Sequence, residues 1–125
     1  MKTNELRLGN YVKFMTDIST WMLGKVNAIN PNKATIDNYN IKYCNIQPIL
    51  LDTELLIKSG FKRQVTGIGW DKYSKDGIDL SLAPLKNDCY VPTFCVNGEY
   101  VRIIYLHQLQ NIFWCLSGKE LEINL

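Results

Sequence analysis

From residue 6 to residue 49 the chain is cut by turn residues into β-favouring runs too short to make stable helices, and this punctuation constrains the fold more than any other feature. Residues 6–14 hold two apolar runs around Gly9-Asn10, the composition of a turn or bulge between extended pieces. Trp21–Ile29 sets Leu23, Lys25, Asn27 and Ile29 against Met22, Val26 and Ala28, with Gly24 where a curved strand would bend. Asn30-Pro31-Asn32-Lys33 ends that strand. Residues 34–37 and 39–43 are two more β-favouring pieces, and residues 46–49 are a last one that Pro48 restricts to an edge. Several short strands at close spacing predict a small barrel-like or strongly bent antiparallel sheet for residues 1–50.

Residues 51–125 read as a helix, a β-meander and a helix. Asp52 or Thr53 can cap a short helix that Gly60 stops, with Glu54 and Lys58 paired one turn apart and Leu55, Leu56 and Ile57 turned inward. Lys75-Asp76-Gly77 is a hairpin turn before a strand whose Ile78, Leu80 and Leu82 share a core face. Asn97-Gly98 between two β-favouring runs predicts a two-residue type I′ turn. That turn sets Cys95 opposite Tyr100, Phe94 opposite Val101 and Thr93 opposite Arg102. In the last helix, 100° per residue puts Leu106, Leu109, Ile112, Phe113 and Leu116 on a core face and His107, Gln110, Asn111 and Trp114 on the other. The helix should stop at Ser117-Gly118. The expectation is one compact α+β domain over 1–125, its C-terminal helix packed on sheet.

Composition bounds the function classes. Hydrophobic residues at 46% are enough for a real core, and a net charge of +2, from 14 basic and 12 acidic side chains without a charged block, permits nucleic acid without demanding it. The opening Met1-Lys-Thr-Asn-Glu-Leu-Arg7 lacks a secretory apolar region, and no apolar run is long enough to span a membrane, so a cytoplasmic protein is expected. Cys44, Cys89, Cys95 and Cys115 form no C-x-x-C pair, so free thiols and no metal or other cofactor are expected.

No motif encodes a reaction. His107, the only histidine, has no carboxylate three or four residues away to orient it as a base, and Gly67-Ile68-Gly69 lacks the spacing of a phosphate loop. The remaining signal is aromatic residues beside basic ones. Trp70, Lys72 and Tyr73 share one run, Arg102 sits in another, His107, Asn111 and Trp114 lie on the last helix, and Arg63 precedes them. Aromatic faces stack on bases and Arg pairs with phosphate, so these eight residues are the candidate ligand-binding set for a small anionic ligand. The competing expectation is a protein-docking module, for a host protein or a second copy, acting through the Trp114 face.

Three blocks also resemble an uncharacterised family of small proteins carried by phages and mobile elements of Bacteroidetes. They are Asn4-Glu-Leu-Arg-Leu-Gly-Asn-Tyr-Val12, residues 46–61, and Tyr105-Leu-His-Gln-Leu-Gln-Asn-Ile-Phe-Trp-Cys-Leu-Ser-Gly-Lys-Glu-Leu121. The resemblance implies no catalytic residues and no cofactor. It implies a non-enzymatic role in a host cell cytoplasm, such as sequestering a nucleotide immune signal or inhibiting a host factor.

Overall fold

The computed structural model describes residues 6–16, 20–65, 71–82, 93–97 and 102–125. The α+β expectation holds: there are two antiparallel five-stranded sheets, a short helix and a C-terminal helix. They divide into two compact units, one of residues 1–49 with 105–107 and one of residues 50–104 with 108–125.

The N-terminal unit contains β1 (Tyr11–Met15), β2 (Trp21–Ile29), β3 (Lys33–Ile36), β4 (Tyr39–Lys42) and β5 (Ile46–Gln47), ordered β4-β3-β2-β1-β5. The two edge strands β4 and β5 are joined by one 3-10 turn, Tyr43–Asn45. Lys42 and Ile46 can therefore be at most about 14 Å apart, whereas the edges of a flat five-stranded sheet stand about 19 Å apart. The sheet must roll, as its short runs predict. Gly24 permits the roll's tight interior: a Cβ there would lie 2.5 Å from Ile36 Cγ2 and 2.6 Å from Phe14 Cε1. A bulge between Val26 and Ala28 turns Ile29 back toward the inner side, which explains the imperfect alternation of β2. Val12, Phe14, Val26, Ala34, Ile36, Ile41 and Ile46 form the buried layer. Asp37 and Asn38, at φ 48° and 73°, make a two-residue turn between paired Ile36 and Tyr39, a hairpin that lacks the usual glycine.

In the C-terminal unit, α1 (Thr53–Lys58) starts as read. Asp52 accepts the Leu55 amide at 2.8 Å, Glu54 and Lys58 pair at 3.3 Å, and Gly60 adopts φ 87°. Leu56 is fully buried, while Leu55 is only half-buried and Ile57 is exposed. A six-residue helix has room for one fully inward position beside its partners. The meander follows as β6 (Lys62–Val65), β7 (Asp71–Lys75), β8 (Ile78–Leu82), β9 (Phe94–Val96) and β10 (Arg102–Ile103), ordered β10-β9-β8-β7-β6. Asp76 and Gly77, at φ 49° and 81°, make the expected tight turn.

The β9–β10 register differs from the sequence expectation. Arg102 pairs with Cys95 and Ile103 with Phe94, two residues away from the register that Asn97-Gly98 implies. Asn97 has the expected positive φ of 50°, but β8 claims it: its amide donates to Asp79 O at 2.7 Å and its Oδ1 accepts the Asp79 amide at 2.8 Å. Gly98, Tyr100 and Val101 lie outside the described residues. An even slip keeps the described side chains on their predicted faces, so Phe94 and Ile103 are still buried.

The C-terminal helix α2 (Leu106–Ser117) ends at Gly118, φ 71°, close to the predicted stop. Its faces need correction. Leu106, Leu109 and Phe113 are buried as expected, but so are His107 and Gln110, while Leu116 is exposed and Ile112 is half-buried. The buried arc is centred between Leu106 and Gln110, and burial ends along the axis: Trp114, Cys115 and Leu116 are all exposed in the last turn. Within the C-terminal unit, Phe113 meets Phe61 edge-on at 6.2 Å, and Lys75 Nζ sits 5.6 Å from the Phe113 ring centre while donating to Ser59 O at 2.8 Å.

Candidate binding face

The eight residues singled out from sequence do not converge. Tyr73 is 2% exposed and packs edge-on against Phe94 at 6.5 Å, so its ring belongs to the core. Arg63 pairs with Tyr73, and Lys72 with Gln64, which puts Arg63 and Lys72 on opposite faces of the same sheet. His107 is 3% exposed and stacks on Tyr105 at 5.7 Å with rings 12° from parallel. Its Nδ1 is buried without a hydrogen bond, although the residue has further interactions. Asn111 is half-buried and Trp114 is 46% exposed. Trp70 lies outside the described residues.

Two of the eight do share a face. Gln64, Lys72, Ser81, Cys95 and Arg102 form one continuous cross-strand row on the outer side of the C-terminal sheet. Lys72 and Arg102 stand three strands apart, about 14 Å at ordinary strand spacing. At Lys72 the charge is matched internally. Asp79 accepts the Ser74 hydroxyl at 2.6 Å and lies 3.3 Å from Lys72 Nζ. Ser74, ahead of Lys72 and against the opposing push of burial, holds the Asp79 carboxyl below its ordinary value.

The outer side of the N-terminal sheet is different. Strand alternation sends Val12, Phe14, Gly24, Val26, Ala34, Ile36 and Ile41 inward, so Tyr11, Lys13, Met15, Trp21, Leu23 and Lys25 face outward on β1 and β2. Beyond the β2 bulge the same side carries Lys33 and Thr35 on β3 and Asn40 and Lys42 on β4. Four lysines and no carboxylate stand on these strands. None of the four makes an ion pair among the described residues. Lys33 and Lys42 are direct cross-strand partners, an arrangement of like charges that destabilises a sheet unless something anionic relieves it. Trp21 and Leu23, the cross-strand partners of Met15 and Lys13, are 40% and 51% exposed, and Lys25 Nζ lies 5.8 Å from the Tyr11 ring centre. Asp37 sits in the β3–β4 turn, where Oδ1 accepts the Lys25 amide at 3.2 Å.

At one end of this sheet Tyr39, Asn40, Lys42, Asn45 and Met15 line a groove of about 310 Å³. Tyr39 springs from the inner side of β4, with Ile41, while Asn40 and Lys42 spring from the outer side, so the groove runs over the strand's edge. Tyr39 is 53% exposed and its ring centre is 5.9 Å from that of the buried Phe14, which backs it. Asn40 Oδ1 accepts the Thr35 hydroxyl at 3.0 Å, fixing its amide so that the NH₂ group is turned away from that bond.

Sequence reasoning missed this face because the whole-chain charge hides it. Residues 1–49 carry six basic and three acidic side chains, net +3, while residues 50–125 carry eight and nine, net −1. Charge counted by segment is the signal that could have found it. Among the described residues no group of three His, Cys, Asp or Glu side chains could hold a metal ion, and no helix is long and apolar enough to cross a membrane. Cys44, Cys95 and Cys115 are free thiols. No protein-family model, curated protein or solved structure matches the chain.

Proposed function

We propose that this is a non-enzymatic binding protein whose N-terminal sheet captures an anionic ligand. The observation that carries the reading is the outward strand face bearing Lys13, Lys25, Lys33 and Lys42 with no carboxylate among them. A surface that holds two lysines directly opposed gives up stability unless an anion sits between them, and exposed Trp21 and Leu23 add apolar contact to the charge. Sequestration fits the phage or mobile-element setting that the sequence blocks suggest. Heparin, a polyanion without aromatic groups, tests the reading through its salt dependence. Wild-type affinity should fall steeply with salt. Lys33→Gln and Lys42→Gln should each flatten the log–log slope, since each removes one counterion-releasing contact, while Lys72→Gln on the other sheet leaves it unchanged. A slope indifferent to Lys33 and Lys42 overturns the reading.

Trp114 and Leu116, both exposed in the last turn of α2, favour a second reading in which that turn docks on a protein partner or another copy. Trp114→Ala would then weaken assembly in sedimentation while the melting temperature stays put.

A further inference from the structure

We infer that the N-terminal face takes single-stranded nucleic acid, with one base seated in the groove beside Tyr39. This rests on the anion-binding reading above and names its ligand class. The groove, at about 310 Å³, is at the small end of ligand pockets, the size for one planar ring system rather than a bulky molecule. Its contents match a nucleotide part by part. Tyr39 offers a half-exposed ring held from behind by Phe14, as a stacking platform requires. The Asn40 and Asn45 amides supply donors and acceptors for a base edge, and Lys42, with Lys33 opposite it, supplies charge for the adjoining phosphate.

The rest of the face argues for a strand rather than a single nucleotide. Met15 on β1 lines the groove two residues from Lys13, and Lys42 lines it on β4, so lysines flank the groove from two strands, as the phosphates on either side of one base in a strand require. Trp21, exposed and the cross-strand partner of groove-lining Met15, gives a further aromatic surface on that flank. Bases present their faces only when unpaired, so an aromatic-and-lysine surface of this kind selects single strands over duplex.

The test compares two polyanions on the intact chain, with short oligothymidylate carrying bases and heparin carrying none. Wild-type protein should bind oligothymidylate more tightly than heparin at matched charge, and more tightly than a duplex of equal length. Tyr39→Leu, which keeps an apolar cover on Phe14 but removes the ring, should weaken oligothymidylate binding by about 5- to 150-fold and leave heparin binding unchanged. Tyr39→Phe, which restores the ring, should restore binding. Heparin bound as tightly as oligothymidylate, or an equal loss on both for Tyr39→Leu, overturns the inference while leaving anion binding intact. Failure to bind either polyanion sinks both.

Discussion

The two sheets of this protein share an architecture and differ in how they treat charge. Each has five antiparallel strands, one side buried and one side polar. On the C-terminal sheet Asp79 organises the middle of the polar side: Lys72 faces it, it takes the Ser74 hydroxyl, and Asn97 bonds its backbone at both ends, with Arg102 outside this network at the β10 edge. On the N-terminal sheet four lysines have no such company among the described residues, and two of them face each other. The lesson is that an unsatisfied electrostatic arrangement, rather than an accumulation of charge, distinguishes a surface shaped for a partner from one shaped only for water.

The comparison depends first on which side of the N-terminal sheet is inside. Phe14→Ala should cost about 3–5 kcal/mol in denaturant melts, as a buried aromatic truncation does. A loss below about 1 kcal/mol would mean that the assignment of sides is wrong and the lysine face with it. A smaller and more discriminating effect is expected from charge reversal. Lys33→Glu turns a like-charge pair into an opposite one and should raise stability by about 0.2–1 kcal/mol while lowering anion affinity. Lys72→Glu, beside Asp79, should do the reverse and lower stability with affinity untouched. If Lys33→Glu destabilises the fold, the claimed repulsion is absent.

The smallest effect concerns acid. Because the Asp79 carboxyl is held below its ordinary value, its contribution to stability is fully present above the unfolded-state value and is lost as pH falls through the folded one. Ser74→Ala removes the largest cause and should move the Asp79 titration, followed by carboxyl NMR, upward toward its ordinary range. An unmoved titration would show that the C-terminal face is not internally matched in the way its geometry implies.

Local chemistry made much of the fold legible in sequence. Asp52 and Gly60 bracket α1, Asp76-Gly77 makes its turn, and Pro48 follows an edge strand, because each acts through its own backbone. What escaped was decided across strands. Asn97 looks like a turn residue until Asp79 on the neighbouring strand claims both its amide and its side chain, and nothing near residue 97 announces that. His107 and Gln110 look polar enough for solvent, yet both are buried in the first turns of α2. The site was less legible than the fold. Aromatic and basic neighbours in sequence, such as Lys72 and Tyr73, point to opposite sides of a strand, whereas Lys33 and Lys42 become partners only when β3 folds back on β4.

That fold-back also governs what binding must overcome. Lys33, Tyr39 and Lys42 all ride on one hairpin closed by Asp37 and Asn38, both fixed at positive φ, so the backbone that presents them is ordered before any ligand arrives. Association then immobilises little beyond the lysine stems, each worth up to about 1.5–2 kcal/mol of rotamer entropy if fully frozen. Tighter capture is open to this scaffold without new contacts, by stiffening those stems: arginine at positions 33 or 42 carries the same charge on a planar fork that loses less freedom per hydrogen bond.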